Sequence, residues 1–316
     1  MDAPLIRIES ETDQALVATS PAKVNLWLEV LGRREDGFHE IVSLMAPVAL
    51  EDRLFLKFGA DSDRLTVPTG GAPEDSSNLV MKSLQRARES RPIPPVDIEL
   101  HKRIPAQAGL GGGSGNAAAI LKCLHRRYPD PRGWTGVFTD AASLGSDISF
   151  FLGAGPAVVR GRGELLEAAE APLFGGISPH VCLWFPGFGL STAEVYQQLG
   201  GPLTSSPVCR NFNIKNFLQG SDGFRFLFNR LFDGARKLDS RISRISDLLE
   251  VHFPGRWIMT GSGSGFVIFA DSSEVSEADA TLLKGMLSSG IPAGDDVSVS
   301  GILGDEIHVV PLLTGS

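Results

Sequence analysis

Cysteine is scarce in this 316-residue chain, with only Cys123, Cys182 and Cys209. They are odd in number, far apart and show no C-x-x-C pair, which argues against a disulfide framework or a zinc site of the usual spacing. They read as buried or free thiols of a reducing, cytoplasmic compartment. Long apolar runs are absent as well, and the N-terminus carries Asp2, Glu9, Glu11 and Asp13 instead of an apolar leader. Neither a bilayer span nor a secretory signal is expected. Nor is there an excess of positive charge: 29 Lys and Arg stand against 37 Asp and Glu, a formal charge of −8. Basic residues are scattered apart from short pairs such as Arg33-Arg34 and Arg126-Arg127, so nucleic acid and anionic membranes are not expected partners. Internal repeats and low-complexity tracts are missing too. What remains is an ordinary globular chain, 42% apolar, long enough for two domains or one large one.

Alternation over residues 22–31 predicts a strand. Val24, Leu26, Leu28 and Val30 face one way, and Lys23, Asn25, Trp27 and Glu29 the other. Further strands are expected over 5–8, 41–50, 54–58, 64–67, 96–100, 148–152 and 157–160, with helices over 78–88 and 116–126. The second half predicts strands over 180–185, 257–260, 266–270, 297–302 and 307–311, and helices over 192–199, 224–238, 242–251 and 275–288. This rhythm fits an α+β chain whose second domain is a sandwich. Ala, Pro and Gly accumulate over 167–178, which places the boundary there and divides the chain into 1–172 and 173–316.

The strongest local feature is Pro105-Ala106-Gln107-Ala108-Gly109-Leu110-Gly111-Gly112-Gly113-Ser114-Gly115-Asn116, which runs into an alanine-rich helix pattern. Glycines let successive backbone N–H groups converge, and a helix start favours an anion, so the loop reads as a polyphosphate cradle. It is not a Walker loop, because nothing cationic lies between Arg103 and Lys122. A G-x-G-x-x-A pattern fits Gly113 to Ala118, but the preceding strand ends too early to feed it. A flexible connection is the competing reading of the loop.

Three other places carry candidate chemistry. Residues 32–40, GRREDGFHE, form a connection in which Phe38 and His39 put a ring beside a two-ended hydrogen-bonding group, suited to a heteroaromatic base. Asp147 opens an apolar stretch and is either a local cap or a catalytic carboxylate. Thr260 to Gly265 is a glycine-serine turn, either a plain hairpin or a second backbone patch near phosphates.

Together and in this order, these segments resemble the GHMP kinases. Ser20 to Leu26 (SPAKVNL) is similar to the family's first motif, and 32–40 to the G-R-R-x-D-G-Y-H-E segment of its cytidyl-substrate branch. Residues 105–118 match the P-x-x-x-G-L-G-G-G-S-S-N-A-A phosphate loop, Leu144 to Asp147 the L-G-S-D motif, and 260–265 the glycine-rich third motif. The resemblance implies a two-domain fold, the N-terminal half like ribosomal protein S5 domain 2 and the C-terminal half a ferredoxin-like α/β sandwich. It implies ATP- and Mg²⁺-dependent phosphorylation of the 2-hydroxyl of 4-diphosphocytidyl-2-C-methyl-D-erythritol, a step of non-mevalonate isoprenoid synthesis, by a monomer or homodimer. Lys23 and Asp147 would be catalytic, residues 105–116 would hold ATP, and Ser114 would contact the nucleotide's Mg²⁺. Asn25, Phe38, His39, Tyr196 and Gly263 would contact the acceptor. One departure stands out: Gly115 replaces the family's second serine, and the resemblance implies weaker nucleotide or metal binding there. The alternatives are a kinase acting on a mevalonate-type or sugar alcohol, and a binder that has lost turnover.

Overall fold

The computed structural model describes residues 5–169, 173–176, 179–199, 214–217, 221–288 and 305–313. Cys209 and the strand expected over 297–302 lie outside them. Strand β1 (Arg7–Glu11) pairs antiparallel with β2 (Ala15–Arg33), and β2 turns back into β3 (His39–Phe58). The separate strands expected over 41–50 and 54–58 are one. Its charged middle is tolerated because buried Asp52 pairs with Lys102 and accepts from Arg103 N at 2.7 Å and Ile104 N at 2.9 Å. After β4 (Arg64–Thr66) comes α1 (Leu79–Arg88), started by Asn78, whose side chain accepts from Val80 N. Then follow β5 (Val96–His101), α2 (Gly112–Arg127), α3 (Gly133–Leu144), α4 (Ile148–Phe151), β6 (Ala157–Gly161) and β7 (Leu165–Ala168). One end of β3 pairs with β5 and the other with β6.

The second half supplies β8 (His180–Pro186), α5 (Thr192–Gln197), β9 (Phe228–Asn229), α6 (Leu231–Leu238), α7 (Ser240–His252), β10 (Trp257–Met259), β11 (Phe266–Ala270), α8 (Ser273–Ser288) and β12 (Asp305–Pro311). Its sheet is antiparallel in the order β10-β11-β8-β12. Alternate residues of β8 and β11 serve two cores. Val181, Leu183, Val267 and Phe269 pack toward Ala22, Val24 and Leu26 of the first sheet, whereas Cys182, Trp184, Phe266 and Ile268 pack under Val195, Ile245 and Leu249 of the helices. A third core joins α1 and α2 to the first sheet through Leu84, Ile120, Leu121 and Leu124. The architecture is α+β with two sheets, as expected. No described helix is long and apolar enough to cross a membrane.

Several local expectations are corrected. The stretch expected as a strand over 148–152 is the short helix Ile148–Phe151; an apolar run of that length has no period to distinguish the two. The helix expected over 224–238 is interrupted by β9, which pairs parallel with β2 at Trp27 and Leu28. Asn229 causes the break, since its amide donates to Met259 O at 2.6 Å and Gly261 O at 2.8 Å. Its Oδ1 then accepts from Leu231 N at 2.9 Å, at the start of α6. Helix α3 was not expected, because Gly133, Gly136 and its β-branched residues have low helix propensity. Helix α2 begins at Gly112, not at 116, so the glycines form its first turn. The alternation of β2 also fails past Asn25. The register shifts between Asn25 and Trp27, and Leu28 shares a cleft with Lys23 and Asn25 instead of facing away from them.

Candidate active site

The two sheets meet where β2, the 105–111 loop and the β10–β11 turn converge. Gly111 precedes α2 with φ +72°, and the first bond of the helix runs from Gly115 N to Gly111 O at 2.9 Å. The amides of Gly112, Gly113 and Ser114 therefore have no intrahelical acceptor, which is the condition for holding an anion. Every residue of 105–116 except Gly115 lines a cleft of about 390 Å³. Lys102 lines it too, beside Gly112. Its ammonium is paired with the buried Asp52.

Gly115 faces the other way. A Cβ added to it would lie 3.2 Å from both Ser20 Oγ and Pro21 O, against β2. The Ser20 hydroxyl donates to Asn116 Oδ1 at 2.9 Å. A side chain at 115 is therefore directed into the β2 packing.

A second cleft of about 960 Å³ shares Gln107, Gly109, Gly111 and Ser114 with the first. Lys23 and Asp147, 124 positions apart in sequence, meet in it with Nζ 3.5 Å from Oδ2. The Lys23 side chain is 3% exposed and the Asp147 side chain 29%. The lysine also donates to Asn25 Oδ1 at 2.6 Å and Gly109 O at 2.8 Å, beside its ion pair with Asp147. Asp147 stands at the start of α4 yet makes no capping bond through its side chain, so the local-cap alternative does not describe it.

Asn25 is held in turn. Its Nδ2 donates to Ser43 Oγ at 2.8 Å, and that hydroxyl donates to Trp27 O at 2.7 Å. Its backbone N donates to Thr260 Oγ1 at 3.1 Å, which ties the second sheet's turn to the first sheet. Ser43 carries no motif, and nothing in the sequence points to it.

Phe38, His39, Tyr196 and Gly263 line the same cleft. Tyr196 stacks on His39 with centroids 4.6 Å apart and planes at 26°. Burial, with Asp147 adding charge repulsion, pushes the Tyr196 hydroxyl well above its ordinary range. Burial and then the nearby Arg33 lower the pKa of His39. Phe38 is 49% exposed and lies under the guanidinium of Arg162, 4.9 Å from the ring centroid. Arg162 lies in none of the sequence motifs; the one local signal is its place between Gly161 and Gly163. Among the described residues no group of three or more His, Cys, Asp and Glu side chains is placed to hold a metal.

An anion cradle opening onto a buried lysine and a partly exposed carboxylate is the arrangement of ATP-dependent small-molecule kinases, and residues 78–153 match the GHMP kinases N terminal domain. The chain is 35% identical over 272 residues to the 4-diphosphocytidyl-2-C-methyl-D-erythritol kinase of Syntrophus aciditrophicus, covering 84% of this chain and 94% of the relative. It is 43% identical over 195 residues to the enzyme of that name from Heliobacterium modesticaldum, with 60% of each covered. A crystal structure of 4-(cytidine 5'-diphospho)-2C-methyl-D-erythritol kinase matches with TM-score 0.70 at 29% identity, over 94% of this chain and 99% of that one. The chain belongs to this family of GHMP kinases. Homoserine kinase from Cytophaga hutchinsonii, TM-score 0.67 at 15% identity over 96% of this chain and 97% of that one, shares the fold.

Proposed function

We propose that this protein transfers the γ-phosphoryl group of ATP to the 2-hydroxyl of 4-diphosphocytidyl-2-C-methyl-D-erythritol, and that the two clefts divide the labour. The 105–116 loop holds the nucleotide, with the free amides of α2 on its phosphates. The larger cleft holds the acceptor, its base toward Phe38, His39 and Tyr196 and its alcohol toward Asp147. Gly263, whose φ is +90°, brings bare backbone to the rim of that cleft. Residues 1–172 supply the loop and the catalytic pair, and 173–316 complete the acceptor cleft.

The observation that carries this reading is the lysine-aspartate pair hung on the loop itself. Lys23 bonds Gly109 O and faces Asp147. Asp147 takes the proton of the attacking hydroxyl as its oxygen bonds to the γ-phosphorus and ADP leaves. Lys23, facing the carboxylate, offsets charge on the transferred group. Magnesium fits as a nucleotide-borne ion, because the described residues build no carboxylate cage for it while Ser114 lines both clefts. Bound there, Mg²⁺ would neutralise the phosphates.

The test is to incubate the protein with ATP, Mg²⁺ and the cytidyl acceptor, with mevalonate and homoserine in parallel, following ADP release and the mass of each alcohol. One phosphate gained by the cytidyl acceptor alone is expected. Turnover of another alcohol instead would refute the acceptor assignment. Asp147→Asn should lower kcat by about 10²- to 10⁴-fold while leaving ATP affinity intact; near-normal turnover would remove Asp147 from the role of base.

A further inference from the structure

The acceptor in this reading is a long molecule with a base at one end, an alcohol at the other and a diphosphate between them. The diphosphate is its main charge, and a cation is needed midway along the cleft. Among the described residues, Lys23, Arg33 and Arg162 are the Lys and Arg side chains that line that cleft. Lys23 is committed to Asp147, Asn25 and Gly109. Arg33 pairs in register with His39 across the β2–β3 hairpin, at the base end.

Arg162 stands between the two ends. Its guanidinium lies over Phe38. The next residue, Gly163, has φ +130° and sits so close to the LGSD segment that an added Cβ would lie 2.7 Å from Ser146 O, one residue before Asp147. The residue therefore bridges the aromatic end of the cleft and the reacting end.

Its charge is felt by Asp36 at longer range, but it forms no close ion pair among the described residues. Nη2 donates to Ala142 O at 2.9 Å, and no described carboxylate lies within ion-pair distance. Nearby arginines differ: Arg34 pairs with Asp36 at 3.1 Å and Glu40 at 2.7 Å, and Arg160 with Glu167 at 3.9 Å. Glu164, two residues on, accepts from the backbone N of Arg162 at 2.8 Å and does not pair with the guanidinium. A planar fork with open donors suits two adjacent phosphates better than a point charge does.

We propose that Arg162 binds the diphosphate of the acceptor. The inference rests on the acceptor assignment above, and its test is chosen to separate the two. Binding of cytidine and of cytidine diphosphate is measured by calorimetry, in the presence of a saturating non-hydrolysable ATP analogue that blocks the nucleotide cleft. Wild type is compared with Arg162→Met, which keeps an apolar stem over Phe38, and with Arg162→Lys, which keeps the charge but loses the fork. The Met variant should weaken cytidine diphosphate about 10- to 100-fold and leave cytidine within about twofold. The Lys variant should fall between. Equal weakening of both ligands would overturn the proposal and make Arg162 a brace for Phe38, and so would no weakening of either. A wild type that binds neither ligand would instead overturn the acceptor assignment, and this inference with it.

Discussion

Gly109 tests whether the seam between the two sheets is as tight as its geometry implies. Its φ is +73°, and an added Cβ would lie 2.1 Å from Thr260 O and 3.0 Å from Thr260 C. In Gly109→Ala the backbone conformation alone costs about 1–2 kcal/mol for a residue with a Cβ. The methyl cannot be accommodated by a rotamer change, because the atom it meets is backbone. Moving the loop or the turn adds about 1–3 kcal/mol by analogy with overpacked cores. The sum, about 2–5 kcal/mol, is a large part of the 5–15 kcal/mol that typically separates folded from unfolded. Turnover should fall as well, since Gly109 O is an anchor of Lys23. The assay is urea unfolding of the free protein alongside kcat. Gly113→Ala is the internal comparison: the nearest atom to its Cβ is Leu79 Cδ1 at 3.8 Å, and it lies in the first turn of α2. Alanine there should stabilise the free protein by up to about 1 kcal/mol. An unchanged unfolding midpoint for Gly109→Ala, or a larger loss for Gly113→Ala, would refute the reasoning.

Three further predictions concern other residues. Gly115→Ser should cost about 1 kcal/mol of stability through crowding against Ser20 and Pro21 while ATP affinity stays within about twofold; a nucleotide titration showing a large change in affinity would mean that the position does reach the phosphates. Because burial and Arg33 lower the pKa of His39, it stays neutral in the folded protein below the ordinary histidine value. The KM for the acceptor should then be flat from pH 8 to about 6.5 and rise only in more acid solution. Folding stability should decline over the same window, because the unfolded chain takes the proton first. Arg33→Gln should move the rise in KM to higher pH, and a profile identical to wild type would remove the arginine as a cause. Burial pushes the thiols of Cys123 and Cys182 up to about 12, so mass spectrometry after iodoacetamide treatment at pH 8 should find both unlabelled in the folded protein and labelled in urea.

Much of the site was legible because its parts are local signals: a glycine run, an alternating strand with Lys23 and Asn25 on one face, an aspartate after a Leu-Gly-Ser. Their meeting was not. Nothing in the spacing of Lys23 and Asp147 reports a distance, and Tyr196 against His39 depends on a helix of the second half packing over the first. Side-chain directions failed where a single backbone irregularity intervened. The bulge at Asn25 to Trp27 put Leu28 into the cleft against simple alternation, and the position of Gly115 in the first turn of α2 turned it toward β2. Asn229 broke an expected helix through bonds to residues 30 and 32 positions away, which no window over the local sequence contains.

The hydrogen bonds that join Asn25 of the first sheet and Gly109 of the 105–116 loop to Thr260 in the second sheet's turn have a consequence for the catalytic cycle. The floor of the cleft is also the weld between the two halves of the molecule, reinforced by β9 crossing onto β2. Swinging the halves apart to admit ligands would break the Thr260 bonds to Asn25 N and Gly109 O with each turnover, although Lys23 keeps its partners on its own half. Ligand exchange then falls to the rim, where His39 of the first half and Tyr196 of the second stack with centroids 4.6 Å apart, and the centre works as a fixed anvil.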